Sequence, residues 1–329
     1  MGHKKSHKNL YIGFTVKQTD KIFVAGHRGL VGSALMRQLA LQGYTNVVTR
    51  TQQQVDLRNQ AAVAEFFQQE RPQYVFLAAA RVGGIGWNAR EPADFIRDNM
   101  QIQTNVIDSA YRNGCEKFLF LGSACIYPKV VPQPIREEYF MTAPLEPTND
   151  GYAIAKIAGL MMCQKYTRQY GWPTVNVMPN NLYGIYDNFN PQHCHVIPAF
   201  IRRFIEAQEQ GMAQVTCLGD GTPTREFIFS DDLAQALIFL MNNFQSDEIV
   251  NVGTGNDIPI RELAETVAEL TGYTGDILWD TSAPNGTPRR QLSTEKLDNL
   301  GFRLPTTLRD GLTQTIAWYK QNRGTYDRI

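Results

Sequence analysis

The sequence predicts an α/β protein with a doubly wound parallel sheet, followed by a smaller C-terminal lobe. Three observations carry this. Short apolar runs alternate with longer amphipathic stretches through the first 180 residues, three glycines fall directly after the first apolar run, and the alternation becomes irregular past residue 185. Strands separated by helices imply parallel pairing, because a parallel pair needs a crossover, and a sheet so wound is covered on both faces.

In chain order, the apolar runs IFVA (22–25), NVVT (46–49), YVFLA (74–78), FLFL (118–121) and TVNVM (174–178) are the expected strands. The amphipathic stretches 30–41, 60–69, 92–112 and 152–170 are the helices between them. Beyond residue 185, stretches 187–191 and 284–288 are rich in turn formers, and helices are expected at 196–209, 231–242, 260–271 and 294–299. We therefore divide the chain into a dinucleotide-binding part, 21–185, and a substrate-binding lobe, 186–329. The stretch 226–252 is a candidate to return to the first sheet. Residues 1–20, polar and basic apart from 11–16, are expected to form a flexible extension, with His3 and His7 solvated rather than binding metal.

Composition excludes several classes. Of 329 residues, 43% are apolar and 19% charged, as in an ordinary folded domain. Thirty-two basic residues balance 32 acidic ones, so no nucleic-acid partner is indicated. No apolar run approaches the roughly 20 residues that span a membrane. The five cysteines (115, 125, 163, 194, 217) have neither CxxC nor metal-ligand spacing, which predicts a reducing cytoplasm and no metal.

The turn AGHRGLVGS sets Gly26, Gly29 and Gly32 between the first strand and the first helix. Glycines there permit a tight turn and let the backbone approach a pyrophosphate, which rests on the helix N-terminus as in the Rossmann fold. The cofactor loop is thus Gly26, His27, Arg28, Gly29, Leu30, Val31 and Gly32. An NAD site usually ends its second strand on a carboxylate that binds the ribose hydroxyls. Here that strand ends Val47-Val48-Thr49-Arg50. Arg50 and Arg28 suit a 2′-phosphate instead, because guanidinium forks match phosphate oxygens, and this predicts NADP(H). Asp56 and Leu57 follow at the expected adenine edge.

Tyr152 and Lys156 lie four residues apart, on one face of a helix. A phenol with a reference pKa near 10 exchanges protons poorly until a cation stabilises its phenolate, and Lys156 supplies that charge. Ser123, just past the fourth strand, offers a hydroxyl to the same carbonyl oxygen. Together the three residues describe a ketone polarised for hydride transfer.

With the glycine turn, these residues resemble the extended short-chain dehydrogenase/reductases from Lys21 onward. The stretches LAAARVGGI, FLGSACIYPK, EPTNDGYAIAKIAG, NLYGIYDNFNP, HVIPAFIRRF, GDGTPTREF and NGTPRR are similar to those of a narrower group. Its members are epimerase/reductases that convert GDP-4-keto-6-deoxy-D-mannose to GDP-L-fucose. The resemblance implies inversion at C3 and C5, which flank the C4 ketone, followed by reduction at C4. It implies Cys125 and His195 as the acid/base pair for inversion, with His195 also near the cofactor. Leu77, Ala78, Ala79, Leu121, Gly122, Pro179, Asn180, Asn181 and Leu182 would line the cofactor site. Arg203 and Arg225 would hold the substrate diphosphate, with Leu218 and Asn285 as further substrate contacts. Relatives pair the helices at 92–112 and 152–170 into a homodimer.

Two positions depart from the group's pattern. Gln52 stands where a second arginine is often found near the 2′-phosphate, which would soften the NADP(H) preference. Asn285 replaces an aspartate, exchanging an anionic acceptor for an amide. The alternative within the same family is another nucleotide-sugar 4-epimerase or a dehydratase. A dehydratase typically has acidic residues after the active-site hydroxyl, where this chain has Ala124 and Cys125. A non-catalytic NADP(H) sensor would have no need of the intact Ser123, Tyr152 and Lys156.

Overall fold

A computed structural model of the chain describes residues 15–282 and 285–324. Residues 1–14, including His3 and His7, lie outside the described residues, as do Ala283 and Pro284 of the expected turn-rich stretch.

The first part of the chain runs β1 (Ile22–Ala25), α1 (Leu30–Leu41), β2 (Val47–Val48), α2 (Gln60–Glu70), β3 (Tyr74–Leu77), α3 (Ile85–Arg90), α4 (Pro92–Arg112), β4 (Lys117–Leu121), α5 (Asp150–Tyr170) and β5 (Thr174–Pro179). It continues through β6 (Asn181–Tyr183), α6 (Val196–Glu209), β7 (Gln214–Leu218), β8 (Thr224–Phe229), α7 (Ser230–Asn243) and β9 (Ile249–Val252). The last elements are β10 (Asp257–Pro259), α8 (Ile260–Thr271), β11 (Asp276–Asp280), β12 (Arg289–Arg290), α9 (Glu295–Asn299) and α10 (Leu308–Asn322).

Six strands form one parallel sheet in the order β2-β1-β3-β4-β5-β9. The chain leaves β1 for β2 on one side and crosses back to β3 on the other. The order therefore reverses between β1 and β3, and a doubly wound sheet binds its ligand beyond the strand ends at such a point.

Alternation along each strand builds two cores. Ile22 and Val24 pack on one face with α1 and α7, whereas Phe23 and Ala25 pack on the other with α2, α4 and α5. Leu119 and Leu121 follow the first pair, and Phe118 and Phe120 the second. Successive strand side chains point to opposite faces, so both faces must be apolar and both must be covered.

The second lobe is centred on β8, which pairs antiparallel with β10 and parallel with β12 and β6. A parallel pair, β7 and β11, lies beside it. A third core joins Tyr183, Phe189, Phe204 and Leu312, packing α6, α8 and α10 together.

Two expectations change. Residues 15–20 are not a free extension, because Val16 is 5% exposed within the first core and its N–H donates to Asn242 Oδ1 at 2.8 Å. The stretch 226–252 divides: β9 completes the large sheet and α7 packs over α1, while β8 organises the second lobe.

Candidate active site

Beyond β1 the chain turns through Gly26, whose φ of +88° favours glycine. A Cβ at Gly26 would stand 2.8 Å from the Ala79 backbone, and one at Gly32 would stand 2.0 Å from the Gly26 carbonyl oxygen. The turn is thus pressed between the end of β3 and the first turn of α1. Gly29 caps α1, and no acidic side chain occupies that first turn, so its amides remain suited to an anion. His27 Nδ1 is buried without a hydrogen-bond partner among the described residues. Burial, then Arg28, lowers the His27 pKa and so favours the neutral ring. An orphaned nitrogen beside a cradle too tight for a Cβ fits the diphosphate of a dinucleotide. Arg28 and Gly29 are exposed at the turn, whereas Val31 is buried beneath it.

At the end of β2, Arg50 is ion-paired with Glu70 of α2, donates to the Thr49 carbonyl at 2.8 Å and lies over the Phe66 ring. Asp56 accepts three side-chain bonds from Arg58, at 3.0, 3.3 and 2.7 Å, and this pairing holds its carboxyl below the usual range. The Leu57 carbonyl accepts from Asn105 at 3.0 Å. Arg50 and Asp56 thus already have ionic partners within the chain.

The chemistry gathers past β4. Ser123 caps a short 3₁₀ turn, Ala124–Ile126, and its hydroxyl accepts from the Cys125 N–H at 3.3 Å. Lys156 is buried on α5, donates to the Leu121 carbonyl at 2.8 Å and stands 5.8 Å from the Tyr152 ring centroid. Burial pushes Lys156 down to about 8. Burial also raises Tyr152, as does the nearby Cys125, while the Ser123 hydroxyl opposes the rise. The Cys125 thiol is raised by burial and pulled back by Ser123, Lys156 and Arg290. Ser123, Cys125, Tyr152 and Lys156 therefore share one local environment.

The strand run 174–183 leaves the large sheet at Pro179 and enters the second sheet at Asn181. Asn180, at the crossover, donates to Glu226 Oε2 at 2.7 Å and to the Arg290 carbonyl at 3.1 Å. Asn181 donates to the Glu226 carbonyl at 2.9 Å, and Leu182 packs against the first core. Gly122 lies against Met178, where a Cβ would stand 2.2 Å from the sulfur. Leu77 and Ala78 continue β3 past the glycine turn, and the Ala78 N–H donates to the Ala25 carbonyl at 3.1 Å.

His195 comes from the second lobe, at the N-cap of α6, with no cap bond from its side chain. His195 is exposed, and the desolvation it does undergo lowers its pKa. The other lobe residues cluster along β7 and β8. Arg203 donates to the Thr216 carbonyl at 2.8 Å, Leu218 is exposed at the end of β7, and Asn285 accepts from the Asp220 N–H at 3.2 Å. Arg225 donates to the Thr224 carbonyl at 2.7 Å, beside Gly286.

The sequence pattern of the NAD dependent epimerase/dehydratase family matches residues 22–253. The chain belongs to this family. It is 55% identical over 305 residues to GDP-L-fucose synthase 1 of Arabidopsis thaliana, across 93% of this chain and 94% of that protein. It is 47% identical over 316 residues to the GDP-L-fucose synthase of Escherichia coli, across 93% and 98% respectively. The crystal structure of a GDP-L-fucose synthetase from Naegleria fowleri bound to NADP superimposes with a TM-score of 0.91 at 28% identity, over 99% of this chain and 100% of that one.

Three residues of this family member escaped the sequence reading. Arg290 lies within NGTPRR, but adjacent arginines in a turn-rich stretch give no sign of which one points inward. Glu226 lies within TREF; its buried carboxylate accepts from Asn180, from the Gly255 N–H at 2.6 Å and from the Leu292 N–H at 3.1 Å. Its role depends on segments up to 66 residues away. Glu70 reaches Arg50 from the far end of α2, a pairing with no local signature.

Proposed function

We propose that the chain converts GDP-4-keto-6-deoxy-D-mannose to GDP-L-fucose, epimerising C3 and C5 and then reducing C4 with NADPH. The observation that carries this is the convergence of a hydroxyl, a thiol, a phenol and an ammonium past β4, at the same end of the parallel sheet as a turn shaped for a dinucleotide. NADPH supplies the hydride when bound; the chain supplies the rest. Gly26, Gly32 and the α1 N-terminus hold the diphosphate, Arg28 and Arg50 the 2′-phosphate, and Asn180 and Lys156 the nicotinamide end. Ser123 and Tyr152 hydrogen bond to the C4 oxygen. Enolate charge on that oxygen is stabilised during epimerisation, and the Tyr152 phenol donates its proton during reduction. Lys156 keeps a positive charge beside Tyr152, easing loss of that proton.

Inversion needs a base on one face of the sugar and an acid on the other, and Cys125 and His195 fill these roles from separate lobes. Arg203 and Arg225 hold the substrate diphosphate, with Leu218 and Asn285 beside them. The protein works in the cytoplasm, in keeping with five free cysteines. It works as a homodimer through α4 and α5, on which Met100 and Ile154 are exposed.

Incubation of the ketosugar with NADPH, followed by NMR of the product, tests the reading. GDP-L-fucose is expected, and a C4-reduced sugar with unchanged C3 and C5 would remove the epimerase half. Cys125→Ser should abolish most deuterium uptake at C3 and C5 in D₂O with oxidised cofactor. His195→Gln should let partly epimerised sugar be reduced slowly.

A further inference from the structure

We propose that Arg290 is a positioning residue for epimerisation: from the substrate lobe it clamps the turn that carries Cys125 and sets a fixed positive charge beside the thiol. This rests on the reading of Cys125 as an acid/base group. Arg290 Nη2 donates to the Ala124 carbonyl at 2.8 Å and to the Tyr127 carbonyl at 3.5 Å, bracketing Cys125 within its 3₁₀ turn. The Arg290 carbonyl accepts from Asn180 at 3.1 Å. One residue thus ties the thiol turn to the crossover that faces the nicotinamide end.

Its neighbour behaves differently. Arg289 makes two bonds to Asp257, at 2.8 and 2.9 Å, so its charge is neutralised. Arg290 bonds to neutral carbonyls. The carboxylate whose charge it feels, Glu146, is also paired with Lys129 at 3.1 Å. Parallel pairing of β12 with β8 sets Arg290 in register with Arg225. Like charge there disfavours a second cation unless something nearby gains from it.

Cys125 is the group that gains. A thiol must become thiolate to act as base, and burial opposes this. The ionisable groups around it are Tyr152 and Lys156 of α5 and Arg290 of β12, with the Ser123 hydroxyl beside them. Lys156 and Arg290 both favour the thiolate, but Lys156 is bonded to the Leu121 carbonyl, whereas Arg290 also holds the carbonyls on either side of Cys125. In the step it supports, the thiolate takes the proton from the carbon beside the ketone. The C–H bond breaks, its electron pair passes into the enolate and an S–H bond forms; an N–H bond of protonated His195, the acid of the pair, then gives its proton to the opposite face of the carbon.

The test uses Arg290→Gln, which keeps a donor for the Ala124 carbonyl but loses the charge, and Arg290→Lys, which restores the charge. Iodoacetamide alkylation is followed against pH with NADP⁺ bound, and a Cys125→Ser protein supplies the background of the other cysteines. In Arg290→Gln the Cys125 alkylation midpoint should rise by about one pH unit, and deuterium uptake at C3 and C5 should fall about tenfold at neutral pH. Reduction of pre-epimerised ketosugar should stay within about twofold of wild type. Arg290→Lys should recover most of both losses. An unchanged alkylation midpoint in Arg290→Gln would overturn the proposal, as would equal losses of exchange and reduction in both variants. If Cys125→Ser exchanges deuterium normally, the parent reading fails, while the alkylation midpoint still decides what Arg290 does to the thiol.

Discussion

Arg50 reaches from the end of β2 to Glu70, and the same guanidinium is proposed to meet a 2′-phosphate. Glu70 also binds Lys21 at 3.4 Å, so it is shared between two cations near the surface. A half-exposed pair of this kind contributes about 0–1 kcal/mol. Glu70→Gln should therefore tighten NADPH by up to about fivefold and leave NADH unchanged, because only the phosphate competes with the carboxylate. Titration calorimetry with both cofactors checks this; weaker NADPH binding would mean that Glu70 orients Arg50 rather than competing for it. At Tyr152 the chemistry is isolated more cleanly. Tyr152→Phe should lower ketone reduction by about 10²–10⁴-fold while NADPH binding stays near normal. Lys156, pushed down to about 8 by burial, is charged below that pH and neutral above it. Reduction should thus decline as pH rises through about 8, and a pH–rate profile with no limb there would reassign the supporting charge.

At the scale of elements, α1 depends on a contact without room for a methyl group. Gly32→Ala would drive a Cβ into the Gly26 carbonyl, pushing α1 away from β1. Overpacking of this kind costs about 1–3 kcal/mol, and the amides at the α1 N-terminus would lose their aim. Lower thermal stability together with loss of NADPH binding is expected; an alanine variant that binds normally would show the turn to be pliant. The glycine turn was legible because its residues are adjacent in sequence and follow an apolar run. The helices at 92–112 and 196–209 were legible at their observed limits, since apolar periodicity over three or more turns is a local signal. Strands β6, β7, β10, β11 and β12 and helices α3 and α10 were not anticipated. These strands are two to five residues long and pair with distant partners, as when Arg290 meets Arg225. No periodicity can develop over two residues.

For the whole molecule, α4 and α5 pack together and leave Met100 36% and Ile154 46% exposed. If the proposed dimer forms there, Ile154→Arg should halve the solution mass seen by light scattering, because an unpaired charge would have to be buried in the interface. A dimer of unchanged mass would move the contact elsewhere. The lobes are themselves joined through polar groups, with Glu226 on β8 accepting from Asn180 at the crossover and from Leu292 just past β12.

The sequence by itself determined the alternation of strands and helices, the glycine turn, the spacing of Tyr152 and Lys156, and Ser123 just past its strand. Each is encoded within a few residues, where spacing translates directly into geometry. Tertiary structure alone decided which charges meet. It paired Arg50 with Glu70 and Asp56 with Arg58, brought Arg290 over the Cys125 turn across 166 residues of chain, and buried Val16 against Asn242. Electrostatic partners are chosen by proximity in space, and proximity between distant segments exists only once the sheet order and the packing of its two faces have been set.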